Sequence, residues 1–166
     1  VEPALDRQLT PCFSLALLCA SDTARRRGIV NAPPDELLPN LARLAGGLEQ
    51  VQALLGAPIV LSSGYRSPEL NAAVGGTASS QHCQGLAADF TCAAFGDPMD
   101  VARAIRDSHI VFDQCILEFG RWVHLSFSVA PRRRTLSIYD GRQGYLAGLC
   151  DPLGNDMGNE QGNPPA

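Results

Sequence analysis

Apolar positions along the chain alternate between helical and strand rhythms. In "PPDELLPNLARLAGGLEQVQALLGAP", Leu37, Leu41, Leu44, Leu48, Val51 and Leu55 recur every three or four residues, the spacing that turns one face of a helix toward a core. Pro34 suits a first turn, Asp35 and Glu36 favour the positive end of the helix dipole, and Pro39 is awkward unless the helix proper starts after it. Pro58 marks the change to a strand, "IVLSS". "GYRSPELNAAVGG" predicts a turn and then a short helix capped by Ser67, with Pro68 at its first position and a glycine stop. After the polar loop "TASSQHCQG", "LAADFTC" reads as an apolar strand with one charge inside it. "GDPMDVARAIRDS" reads as a capped amphipathic helix starting near Asp97. "FDQCILEF", "WVHLSF" and "TLSIY" predict three neighbouring strands, the first two forming a hairpin around Gly120 and Arg121. Helices early and an antiparallel sheet later make an α+β domain.

This rhythm divides the chain. Residues 1–33 read as an N-terminal arm with one short helix at "FSLALLCA", and 34–150 as the main domain. Residues 151–166 are rich in Gly, Asn and Pro without periodicity, and are expected to be disordered. There is no internal repeat.

Composition fits one soluble globular domain: 45% apolar and 18% charged residues with a formal charge of −4. No apolar run approaches the ~20 residues needed to span a bilayer. All 13 basic residues are arginines, two runs of which, Arg25–Arg27 and Arg132–Arg134, raise the question of polyanion binding. In a net acidic chain with few aromatics around them they read as solvated charge, not as a nucleic-acid surface. The chain begins with valine, which leaves the compartment open: periplasmic or extracellular if a leader was removed, cytoplasmic before release if the chain is a phage endolysin. Six cysteines form no CxxC pair, so finger-type metal spacing is absent, while disulfides and buried free thiols both remain open. Oligomeric state is not legible.

Two of only three histidines stand in places that raise a chemical question. His82 precedes Asp89 by seven residues in "SSQHCQGLAADF", and His124 occupies the centre of "WVHLSF". A lone carboxylate in "LAADFT" faces a desolvation cost unless something positive pairs with it. Zinc in a hydrolase takes three protein ligands and keeps one position open, and two imidazoles plus a carboxylate would supply the three. Each residue also admits a plainer role: a loop histidine, an aspartate near a strand end, a satisfied core histidine.

The run "SSGYRSPELNAAVGGTASSQHCQGLAADF" followed by "FDQCILEFGRWVHLSF" resembles the zinc D-alanyl-D-alanine carboxypeptidase and dipeptidase family of bacteria and phages, in its carboxypeptidase-like branch. SGYRS, SxHxxGxAxD and WVH occur in the family's order and spacing, and the likeness runs from about Leu41 to about Leu149. The resemblance implies a small zinc-peptidase scaffold, shared with the Hedgehog domain, with a central antiparallel sheet and flanking helices. It implies Zn2+ held by His82, Asp89 and His124, a peptidoglycan peptide as substrate, and Arg66 on the substrate's carboxylate or polarised carbonyl oxygen. A guanidinium suits that task because it is always charged and its fork engages an oxyanion with two donors. Ser80 and Gln81 border the zinc histidine and are candidates for substrate contact.

The sequence departs from the family at the general base. The usual carboxylate three residues before the last zinc histidine is here Arg121, which has no acceptor. Glu118 is the nearest alternative. With a three-residue hairpin loop it stands opposite Trp122 and shares a face with His124; with a two-residue loop it faces away. Asp113 is held in reserve. Two other readings stay open: a non-catalytic zinc module that recognises cell-wall peptides or a protein partner, and a cysteine hydrolase using Cys83 beside His82.

Overall fold

The computed structural model describes residues 5–157. Its helices are α1 (Leu15–Cys19), α2 (Asp22–Arg27), α3 (Leu38–Leu55), α4 (Pro68–Ala73) and α5 (Pro98–Asp107), with a short 3-10 turn at Asp35–Leu37 leading into α3. The strands are β1 (Val60–Ser63), β2 (Ala87–Thr91), β3 (Gln114–Glu118), β4 (Trp122–Ser126), β5 (Arg134–Ile138) and β6 (Leu146–Ala147). They form one sheet in the order β1-β2-β4-β3-β5-β6.

The α+β expectation holds in its coarse form, but the sheet is mixed and not purely antiparallel. β5 runs parallel to β3, with Gln114 opposite Arg134 and Glu118 opposite Ile138, while the other pairings are antiparallel. The chain path explains the exception. β4 ends beside the start of β3, where Asp113 N donates to Ser126 O. The link Phe127–Arg133 passes that end of β3 and delivers β5 to its other side, pointing along it.

The two sheet faces have opposite fates, because successive strand residues point to opposite sides. Ala88, Phe90, Cys115, Leu117, Val123 and Leu125 form one apolar face and join the buried core with Leu41, Leu44, Leu48 and Val51 of α3 and Val101, Ala102 and Ile105 of α5. Burial of each large side chain contributes roughly 1.5–3 kcal/mol. The other face carries Asp89, His124, Ile116, Glu118 and Leu136 and lines an open cleft.

Residues 5–33 hold two short helices where one was expected. Ser14 and Ser21 cap them through hydrogen bonds to Leu17 N and Ala24 N, and Gly28 closes the second in a left-handed conformation. This segment packs into the domain: Phe13, Leu15 and Leu18 belong to the core, and Leu18 O accepts from Tyr65 N at 2.7 Å. Of the tail expected from residue 151, residues 151–157 form a turn stitched to Cys150 through Asp156 and held by Asp151 hydrogen bonds. The remainder of that expectation lies outside the described residues. The six cysteines are free thiols, four of them buried. No helix among the described residues is long and apolar enough to cross a membrane.

Candidate metal centre

Three elements deliver the three ligand candidates to one point. Asp89 on β2 stands directly opposite His124 on β4, so the pairing register alone brings their side chains together. His82 arrives from the turn before β2, where Gly85 N and Arg66 N both bond to its carbonyl. His124 Nδ1 lies 2.9 Å from Asp89 Oδ1, His82 Nε2 lies 3.1 Å from the same oxygen, and the two ring nitrogens are 3.2 Å apart. All three residues are buried.

Donor accounting shows that this cluster suits a cation. His82 Nδ1 is 2.7 Å from Gly64 O, and a carbonyl can only accept, so that nitrogen carries the proton. In the neutral ring Nε2 is then a lone pair facing the Asp89 carboxylate. Protonating His82 would relieve the clash of lone pairs, but burial pushes its pKa down, only partly opposed by Asp89. Burial alone would raise the Asp89 carboxyl; the imidazoles of His124 and His82 outweigh it and hold it well below the usual carboxylate range. Two lone pairs aimed at one spot with a single shareable proton call for a positive ion between them. Ligand atoms on a tetrahedral zinc with bonds of ~2.0–2.2 Å stand roughly 3.3–3.6 Å apart, a few tenths of an ångström beyond the separations here. The donor set therefore fits a divalent metal, and His82, Asp89 and His124 form a possible metal-binding site.

The surrounding residues are placed with equal definition. Arg66 donates from Nη2 to Asp89 Oδ2 and from Nε to Ser63 Oγ, both at 2.9 Å. Two of its five N–H groups are thus engaged, and the side chain lines the cleft. The hairpin loop is Phe119–Arg121, with Phe119 and Gly120 both at positive φ, 55° and 64°. Glu118 consequently pairs with Trp122, and Ile116 with His124. Glu118 shares the face and the cleft of His124, half-buried, with Oε2 accepting from Trp122 Nε1 at 2.9 Å. Burial, and next the negative charge of Asp89, raise its pKa. Arg121 is exposed at the loop and does not line the cleft.

Asp113 is differently occupied. Its oxygens accept from Arg132 N, Nε and Nη2 and from Gln81 Nε2, at 2.7–3.0 Å, and the guanidinium beside it brings its pKa down to about 2. It stands outside the cleft lining. Ser80 and Gln81 do line the cleft; Ser80 Oγ accepts from His82 N, and Gln81 Oε1 is buried without a partner. For Cys83 the geometry offers no base, since both ring nitrogens of His82 are committed to Gly64, Asp89 and His124.

The cleft measures about 1020 Å³ and extends across the sheet to Gln114, Arg132, Arg134, Leu136 and Tyr145, none of which sequence reasoning assigned to it. Strand parity could have found two of them, because Gln114 and Arg134 lie two residues from Ile116 and Leu136 on the same face. The arginine runs also have defined partners. Arg133 donates to the carbonyls of Ile110, Arg106 and Ser108 and covers the Phe112 ring at 4.8 Å, while Arg25 pairs with Asp22 and Arg27 reaches Ala73 O.

No curated protein matches the chain. The family model described as peptidase M15 matches residues 11–126, a span that starts within the N-terminal helical segment and contains all three ligand candidates. Peptidases of that family are zinc-dependent. With most of its length matched and a His/Asp/His cluster where such a metal would sit, the chain belongs to the peptidase M15 family.

Proposed function

We propose that the protein is a zinc-dependent peptidase that hydrolyses peptidoglycan stem peptides at or near D-alanine. The observation that carries this reading is the hairpin register, which sets a carboxylate, Glu118, on the same cleft face as the ligand cluster even though the usual base position holds Arg121. His82, Asp89 and His124 would hold Zn2+, which when bound polarises a carbonyl and makes water acidic enough to ionise near neutral pH. Glu118 takes the proton of the attacking water and returns it to the departing amine. Its environment favours this exchange: burial lifts its basicity, and Trp122 Nε1 holds one oxygen so that the other is free to work. Arg66 presents its unengaged N–H groups to the oxygen on which negative charge develops, or to the substrate's terminal carboxylate. Asp89 and Ser63 fix its orientation. Ser80 and Gln81 border the bound peptide.

Glu118→Gln tests this assignment, because it keeps size and hydrogen bonding but removes the base. Zinc content should be unchanged while release of D-alanine from a stem pentapeptide falls by roughly 10²–10⁴. Turnover equal to the parent's would remove Glu118 from the chemistry. A parent that binds zinc but cuts no peptidoglycan fragment would favour the non-catalytic zinc module.

A further inference from the structure

Three arginines line the cleft, and they differ in what neutralises them. Arg66 is paired with Asp89 and Arg132 with Asp113. Arg134 has no carboxylate, and no side-chain hydrogen bond, among the described residues. Only its backbone is tied down, its N–H donating to Asp113 O at 2.8 Å. The acidic residues of the cleft, Asp89 and Glu118, belong to the metal end, so the Arg134 end carries a surplus positive charge in a chain of net charge −4. Gln114, directly opposite Arg134, adds a polar side chain to the same wall.

We propose that Arg134 is a specificity-determining residue that binds a carboxylate carried by the peptide substrate, about three residues from the bond to be cut; this rests on the peptidase reading of the same cleft. The register sets the distance. His124, Ile116 and Leu136 form one transverse row across β4, β3 and β5, and Arg134 lies two residues along β5 from that row. Two strand spacings of about 4.8 Å and two rises of about 3.4 Å put its Cα roughly 12 Å from that of His124. An extended peptide covers about 3.4 Å per residue, so roughly three residues span that interval. The guanidinium, exposed and without a carboxylate partner among the described residues, meets such a carboxylate with two parallel donors.

The test uses zinc-loaded protein and peptides ending in D-Ala-D-Ala, with the scissile amide N-methylated to prevent cutting. A single Glu is moved through the positions two to four residues from that bond, and each peptide is paired with its Gln counterpart. Trp122, the only tryptophan, lines the cleft and reports binding by fluorescence. At one of these positions the Glu peptide should bind about five- to tenfold more tightly than the Gln peptide. Arg134→Gln should abolish that preference, and Arg134→Lys should retain part of it. No Glu preference at any position, or a preference undiminished in Arg134→Gln, overturns the proposal. Unmodified peptides separate the two claims. Cleavage without a Glu preference leaves the peptidase reading standing and removes Arg134; a preference that depends on Arg134 without any cleavage keeps the acidic-peptide site and removes the peptidase.

Discussion

Asp89 meets three partners at once: Oδ1 faces both imidazoles, and Oδ2 takes a hydrogen bond from Arg66. Its carboxylate is therefore shared between the two candidate histidine ligands and the residue proposed to hold the substrate's oxygen. The depressed pKa means that it stays ionised through the neutral range, ready to ligate without first losing a proton. Asp89→Ala should abolish tight zinc binding, since two imidazoles make an incomplete site and Arg66 loses its orienting partner. Metal analysis after dialysis checks this; full occupancy in the variant would take Asp89 out of the ligand set.

At the scale of elements, helix α1 buttresses the candidate metal site through Gly64. Gly64 packs so closely on α1 that a Cβ there would collide with Leu18 O, and the Gly64 carbonyl fixes the tautomer of His82. Gly64→Ala should cost about 1–3 kcal/mol of stability through overpacking. It should also weaken zinc binding by about tenfold or more through loss of the orienting hydrogen bond. Denaturant melts and zinc titrations read the two effects separately, and unchanged zinc affinity would mean that Gly64 serves packing alone.

The Asp113–Arg132 pair ties the start of β3 to the crossover, and its pH dependence has a definite sign. The folded pKa, about 2, lies below the unfolded value of about 3.9, so the pair's stabilisation is full above pH ~4 and is lost as pH falls toward 2. In metal-free protein the stability gap between parent and Asp113→Asn should close over that window. A gap that stays constant across it would assign Asp113 a role other than ion pairing.

The same elements show what the residues made legible. His82, Asp89 and His124 stood out because a charge or an imidazole interrupts an apolar strand or a sparse loop, and α3, α4 and α5 announced themselves by periodicity and caps. The side on which Glu118 falls turned on one residue of loop length, which the register of β3 on β4, with Glu118 opposite Trp122, settles in favour of a three-residue loop. α2 escaped because "DTARRR" buries only Ala24 and has no apolar rhythm, its boundaries being set by Ser21 and Gly28. The parallel β3–β5 pair was hidden because strand direction depends on where the crossover passes, and β6, two residues long, is too short to show alternation.

Across the whole molecule, one sheet face is spent on the core and the other on the cleft. Helices α3 and α5 cover the first, leaving a floor on which Asp89, His124, Glu118 and Arg134 occupy fixed register positions, while His82 and Arg66 reach it from the adjoining loops. Such sites lose little precision to loop motion, because strand pairing holds most of their members. The most direct test is release of D-alanine from a stem pentapeptide by the zinc-loaded protein, followed after chelation and after zinc is restored. Cleavage should stop on chelation and return with zinc. Cleavage that resists complete metal removal, or a fully zinc-loaded protein that releases nothing from any stem peptide, would contradict a zinc peptidase built on His82, Asp89, His124 and Glu118.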